Sequence, residues 1–91
     1  MRVLHVDTGC EWRGGQTQML HLLRSRLNDG VALPRGASLM HTVKQLGNAT
    51  FCLNYRGSLS AVRSVRRAVA EFEPDLLAAH TSHAHNACVA A

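Results

Sequence analysis

The feature that most constrains this chain is an alternation. Three times, and once more in weaker form, a short apolar run gives way to a turn and then to apolar residues three or four positions apart. The short runs read as buried strands and the wider spacing as amphipathic helices. The order along the chain is therefore β-α-(β)-α-β-α-β-α. Strands separated by helices cannot pair as tight hairpins, so a parallel sheet with crossover helices is expected. The fold class predicted is α/β, a partial Rossmann-like, doubly wound parallel sheet of three to four strands.

Val3-Leu4-His5-Val6 forms the first expected strand and ends at Asp7-Thr8-Gly9. Met19, Leu20, Leu22, Leu23 and Leu27 then predict the inward stripe of a helix of about a dozen residues, with Gly30 as its candidate C-cap. Val31-Ala32-Leu33 is short for a strand, and Pro34 and Gly36 force a turn. Ser38 is placed to cap a helix through Leu39, Met40, Val43 and Leu46, which Gly47 stops. Residues 49–55 have strand composition. Ser58 or Ser60 caps the next helix, with Val62, Val65, Val69 and Phe72 inward and Arg63, Arg66 and Arg67 on the opposite face. Pro74 closes it by pushing the preceding residue out of the helical region. Leu76-Leu77-Ala78-Ala79 is the last strand, and a further helix begins near Ala84.

Apolar residues make up 46% of the chain and aromatic ones only 4%, so aliphatic side chains and alanine must build the core. At 91 residues this is at most one small domain. The net charge of +4 permits an anionic partner, but no run of five like charges marks a nucleic-acid tail. Arg24, Arg26, Arg63, Arg66 and Arg67 are expected on solvated outer faces of helices. Cys10, Cys52 and Cys88 cannot all pair with one another and show no CxxC spacing, which favours a reducing compartment. The early charge at Arg2 argues against a signal peptide, and no apolar run is long enough to span a membrane. The expected location is cytoplasmic, with contact at the inner membrane face open to a basic amphipathic surface.

Two loops carry chemistry, each after an expected strand and before an expected helix. In a parallel sheet both lie at the carboxyl ends of strands, where such folds bind ligands. In the first, Gly14 and Gly15 can offer backbone N–H groups to an anion with no Cβ in the way. The spacing Gly9-x4-Gly14-Gly15 is neither G-x-G-x-x-G nor a P-loop, since no Lys follows. A plain turn would explain the glycines, but it has no need of Trp12, Arg13 and Gln16. The second loop holds His80, His83 and His85, with Cys88 beyond. Its H-x2-H-x-H-x2-C spacing matches no usual zinc ligand set, so no metal is expected. Helix capping by Thr81 or Ser82 beside surface histidines is one reading. The other is an active-site loop whose histidine works as acid or base near neutral pH. With strand order 3-2-1-4, the two loops would flank one cleft at the switch point between strands 1 and 4.

The runs V-L-H-V-D-T-G-x-E-W-R-G-G-Q at 3–16 and P-D-L-L-A-A-H-T-S-H-A-H at 74–85 resemble the N-terminal domain of family 4 (group 1) glycosyltransferases of the GT-B fold. The stretch Asn54-Tyr55-Arg56-Gly57-Ser58 resembles the segment before that domain's third helix. The resemblance implies retaining transfer of a sugar from a nucleotide-diphosphate-sugar donor to a sugar or lipid-linked acceptor hydroxyl, with no cofactor or metal. It places Arg13, Gly14, Gly15 and Gln16 at the substrate-binding loop. His80 or His83 takes the place of the histidine that lines the reaction cleft, and both are candidate catalytic residues. Two departures stand out. The family's second strand runs about six residues, where only 31–33 are apolar here, and the family's second, donor-binding domain is not in the sequence. The expectation is an N-terminal half-domain, inactive by itself and prone to self-association. The alternative is a standalone phosphate- or anion-binding module without catalysis. A nucleic-acid surface on Arg63, Arg66 and Arg67 has no recognition motif to accompany it, so no nucleic-acid partner is expected.

Overall fold

The computed structural model describes residues 1–7, 14–54, 58–80 and 88–89, with the backbone alone for 14–16 and 58. Its elements are β1 (Val3–Val6), α1 (Gly14–Ser25), β2 (Gly30–Pro34), α2 (Ser38–Leu46), β3 (Ala49–Leu53), α3 (Ser58–Phe72) and β4 (Leu76–Ala79). The four strands form one parallel sheet in the order β3-β2-β1-β4. This is the α/β fold and the strand order expected from the sequence.

The order dictates where the helices go. From β1 to β3 the chain steps outward, and from β3 to β4 it returns past β1. Crossovers of one hand then put the helices of the outward steps on one face and the returning helix on the other. Accordingly, Met19, Leu20 and Leu23 of α1 join Leu39, Met40 and Val43 of α2 over Val31 and Leu33. On the opposite face, Ala61, Val65, Ala68 and Phe72 of α3 cover Leu4, Val6, Ala32 and Leu53. Side chains alternate between faces along each strand, so β1 and β2, covered on both sides, are buried at every position.

The second strand corrects the sequence reading. β2 runs the full five residues Gly30–Pro34, bonded to β1 on one side and β3 on the other. Gly30 opens this strand and does not cap α1. It lies beneath the Phe72 ring, where an added Cβ would stand 3.1 Å from the nearest ring carbon. Phe72 also meets Phe51 edge-on at 5.8 Å, and the Arg2 guanidinium lies 4.2 Å from its ring centre. Pro34 ends the strand, where its missing N–H costs the ladder least.

Smaller corrections follow from burial. Leu22 and Leu27 are exposed rather than inward; α1 ends at Ser25, and Leu27 falls in the turn beyond it. In α3 the deeply buried stripe is Ala61, Val65, Ala68 and Phe72, with Val62 and Val69 only partly covered. Ala37, not Ser38, occupies the N-cap of α2. Gly47 does end that helix, in the left-handed conformation at φ 95°, with its N–H bonded to the Lys44 carbonyl. β3 stops at Leu53; Tyr55 lies outside the described residues, as does the helix expected from Ala84 apart from 88–89.

Candidate functional site

β1 and β4 pair along their whole length, Val3 with Leu76 through Val6 with Ala79. The chain leaves β1 toward the α1 face, while Cys88, beyond β4, packs against the α3-side core. Connections that part to opposite faces open a crevice at the carboxyl ends of the two strands. A cleft of about 290 Å³ lies there, lined by Asp7, His80 and the α1 residues Gln18, Met19 and Leu22. This accounts for the exposed Leu22: it borders the cleft instead of entering the core.

His80 is held from two sides. Its backbone N–H donates to the Val6 carbonyl at 2.9 Å, prolonging the β1–β4 ladder by one bond. Its ring Nε2 lies 3.0 Å from Nδ1 of His5, with ring centres 5.2 Å apart. His5 sits in the middle of β1, buried, and its Nε2 lies 3.0 Å from Oδ2 of Asp29. Asp29, 1% exposed, also accepts the Val3 N–H at 3.2 Å and Nε–H of Arg26 at 2.6 Å. Arg26 donates in addition to the Met1 carbonyl at 3.3 Å. Arg26, in the turn after α1, is exposed as expected and is also tied into the fold by these bonds. A side-chain chain, Arg26–Asp29–His5–His80, thus runs through the sheet from the amino ends of the strands to the cleft.

The electrostatics of this chain fix its hydrogens. Burial works to raise the Asp29 carboxyl, but hydrogen bonds from Arg26 and His5, with that of Val3, outweigh it and hold the group below the usual carboxylate range. A carboxylate only accepts, so His5 donates from Nε2. With a neutral imidazole at position 5, Nδ1 accepts and His80 donates from Nε2. This leaves Nδ1 of His80 as the ring's basic atom. Desolvation, with the nearby His5, pushes His80 below its ordinary value, against an opposite pull from Asp7. A neutral imidazole of fixed tautomer beside a carboxylate is suited to accept a proton from a hydroxyl.

Of the residues singled out from the sequence, His80 reaches the cleft. Gly14, Gly15 and Gln16 are the first three residues of α1, whose Gln18, Met19 and Leu22 form a wall of the cleft. Arg13 and His83 lie outside the described residues. Asp7, His5 and Asp29 were missed. Their signals are faint: an imidazole inside the apolar run Val3–Val6, and a buried Asp just before β2. Among the described residues, no three His, Cys, Asp or Glu side chains converge as metal ligands, and no helix is long and apolar enough to cross a membrane. Cys52 is an exposed free thiol, and Cys88 a half-buried one whose pKa burial raises. No family model, curated protein or solved structure matches the chain.

Proposed function

We propose that this domain is the acceptor side of a retaining glycosyltransferase of the group it resembles, with the cleft at the β1–β4 switch point as its acceptor pocket. The observation that carries the reading is His80, backed by buried His5 and Asp29 and facing the same cleft as Asp7. In this reading His80 receives a hydrogen bond from an acceptor hydroxyl, and Asp7 orients a neighbouring hydroxyl. The apolar edge of Met19 and Leu22 packs on the sugar ring. Gly14 and Gly15 turn the start of α1 toward the donor phosphates, which a second α/β domain would hold. Sugar transfer needs donor and acceptor in near-attack geometry, so these 91 residues alone are expected to turn over no substrate.

The reading is tested by NMR of the histidine rings during titration with acceptor glycosides and, separately, with nucleotide-diphosphate-sugars. The expected result is that an acceptor glycoside shifts the His80 and His5 signals together and leaves His41, exposed on α2, unmoved. Indifference of His80 to sugars, or sugar transfer catalysed by the 91 residues alone, overturns the proposal.

A further inference from the structure

Residues 31–70 hold six of the chain's ten Lys and Arg and none of its six Asp and Glu. Folding gathers part of this excess around a second cleft. It measures about 570 Å³ and lies at the carboxyl end of β3, lined by Arg35, Cys52, Leu53, Asn54, Ser60, Arg63, Ser64 and Arg67. Among the described residues it shares no lining residue with the cleft of His80. Arg35 follows β2 directly, while Arg63 and Arg67, four apart on α3, project from one helix face. The cleft walls are tied together: Asn54 donates its backbone N–H to Ser64 Oγ at 2.9 Å, and that hydroxyl donates to the Ser60 carbonyl at 2.9 Å. The arginines therefore stand on braced elements.

Three guanidinium groups share this concavity, and among the described residues none forms an ion pair with a carboxylate. Cations placed together without a counter-charge raise the local positive potential, which draws in an anion. The flat fork of arginine matches the oxygens of a phosphate group, with two N–H donors per contact. The described lining residues supply guanidinium, hydroxyl and amide groups, the donor set a phosphate group takes. We propose that this cleft binds the phosphate group of a phosphorylated ligand between Arg35 and the Arg63–Arg67 pair. The inference does not depend on the glycosyltransferase reading, since it rests on other residues.

The probe is inorganic pyrophosphate, added to the 91-residue chain and to its Arg35→Ala, Arg63→Ala, Arg67→Ala and Arg66→Ala variants. Binding is read by calorimetry, by thermal melt, and by the rate at which Cys52 is alkylated. The expected result is saturable binding that slows alkylation of Cys52 and spares that of Cys88. Arg35→Ala, Arg63→Ala and Arg67→Ala each weaken it about tenfold to a hundredfold, as loss of a hydrogen bond to a charged group implies. Arg66, exposed on α3 but outside the lining, changes it by less than about threefold. Melts without ligand stay unchanged or rise, because each substitution relieves repulsion. A fall in those melts would mark the arginines as structural and overturn the proposal. So would absence of saturable binding, or an effect of Arg66→Ala equal to that of Arg63→Ala. A parallel arm uses vesicles of phosphatidylglycerol in phosphatidylcholine. Vesicle binding that pyrophosphate displaces assigns the phosphate to a lipid headgroup, and pyrophosphate binding without vesicle binding assigns it to a soluble ligand. An oligonucleotide that binds more tightly than either probe would replace the proposal with a nucleic-acid surface.

Discussion

Asp29 is the single side chain on which most of the buried polar chemistry converges. Its carboxylate receives Val3, His5 and Arg26, and its backbone carbonyl receives the Asn48 amide at 3.0 Å. Asp29→Ala leaves the buried Val3 and His5 donors without an acceptor and is expected to cost about 2–5 kcal/mol, from about 1–3 kcal/mol for each buried group left unsatisfied. In a domain this small that approaches the whole stability, so the melt should lose its cooperative transition. A variant that melts like the parent would show the network to be dispensable. The pH dependence has a definite sign. His80 titrates lower in the folded state than in the unfolded chain, so its stabilising contribution is complete above about pH 6.5 and is lost as pH falls through its depressed value. The Asp29 carboxyl is depressed too, and its contribution persists to much lower pH, fading only below about 4. Urea melts at pH 7.5, 6 and 5 should show declining stability, and His80→Gln should flatten that decline. Unchanged midpoints across this range in the parent would contradict the assignment. At this scale the sequence is legible only in part. His80 stands in a histidine run that advertises itself, whereas His5 and Asp29 meet across 24 residues and His5 and His80 across 75. No local spacing encodes contacts of that range.

Among the elements, β2 shows best where reading by pattern fails. Three apolar residues between Gly30 and Pro34 look too few for a strand, yet both flanking residues belong to it. Pro34 is tolerated because it comes last, and Gly30 because Phe72, 42 positions further on, fills the space a side chain would take. A helix cap is the local explanation of this glycine, and the aromatic ring is a distant one. Gly30→Val should therefore destabilise by about 1–3 kcal/mol through overpacking, with Phe72→Leu in the same chain recovering part of the loss. Additive losses in the double variant would show that the ring and the glycine do not confront each other. Gly47 supplies the contrast. Nothing lies within 4 Å of a Cβ built there, but its φ of 95° is left-handed, so Gly47→Ala should cost about 1 kcal/mol from backbone strain alone. The helices were easier to foresee than this strand, since three to four turns of periodic apolar residues outweigh one uncertain cap. Arginines 63 and 67 were legible as helix-surface residues, but not as cleft residues, because Arg35 arrives from another element.

For the whole molecule, alternation and the one-handed crossover rule were enough to reach the sheet order, because they admit few arrangements of four strands. They do not say what covers the sheet's two sides. β3 and β4 are its edge strands, and β4 is only partly buried along its length. Leu27, Leu59 and Leu76 are large apolar side chains exposed on the surface. An uncovered strand edge with apolar neighbours invites pairing with another copy. Sedimentation velocity is expected to show concentration-dependent association, reduced by Leu76→Lys, which sets a charge on that edge. A monomer at every concentration would refute this expectation.

The place of β1 has a further consequence, for the order of events during synthesis. β1 is made before the other described strands, yet it lies inside the sheet, and one of its two neighbours is made from residues 76–79. Until those residues follow, one side of β1 has no ladder partner, and Leu4, Val6 and Ala32 wait for the helix over 58–72 that covers them. The nascent chain must therefore carry this inner strand half-clothed until residues 76–79 are made, in the state where chaperones bind. Its native contacts are long in sequence, which slows closure once the last strand is free. The His5–His80 bond, spanning 75 residues, is then a marker of closure between β1 and β4: it forms when β4 docks. A synonymous slow codon before Leu76 would lengthen the exposed interval without altering a single residue of the finished protein.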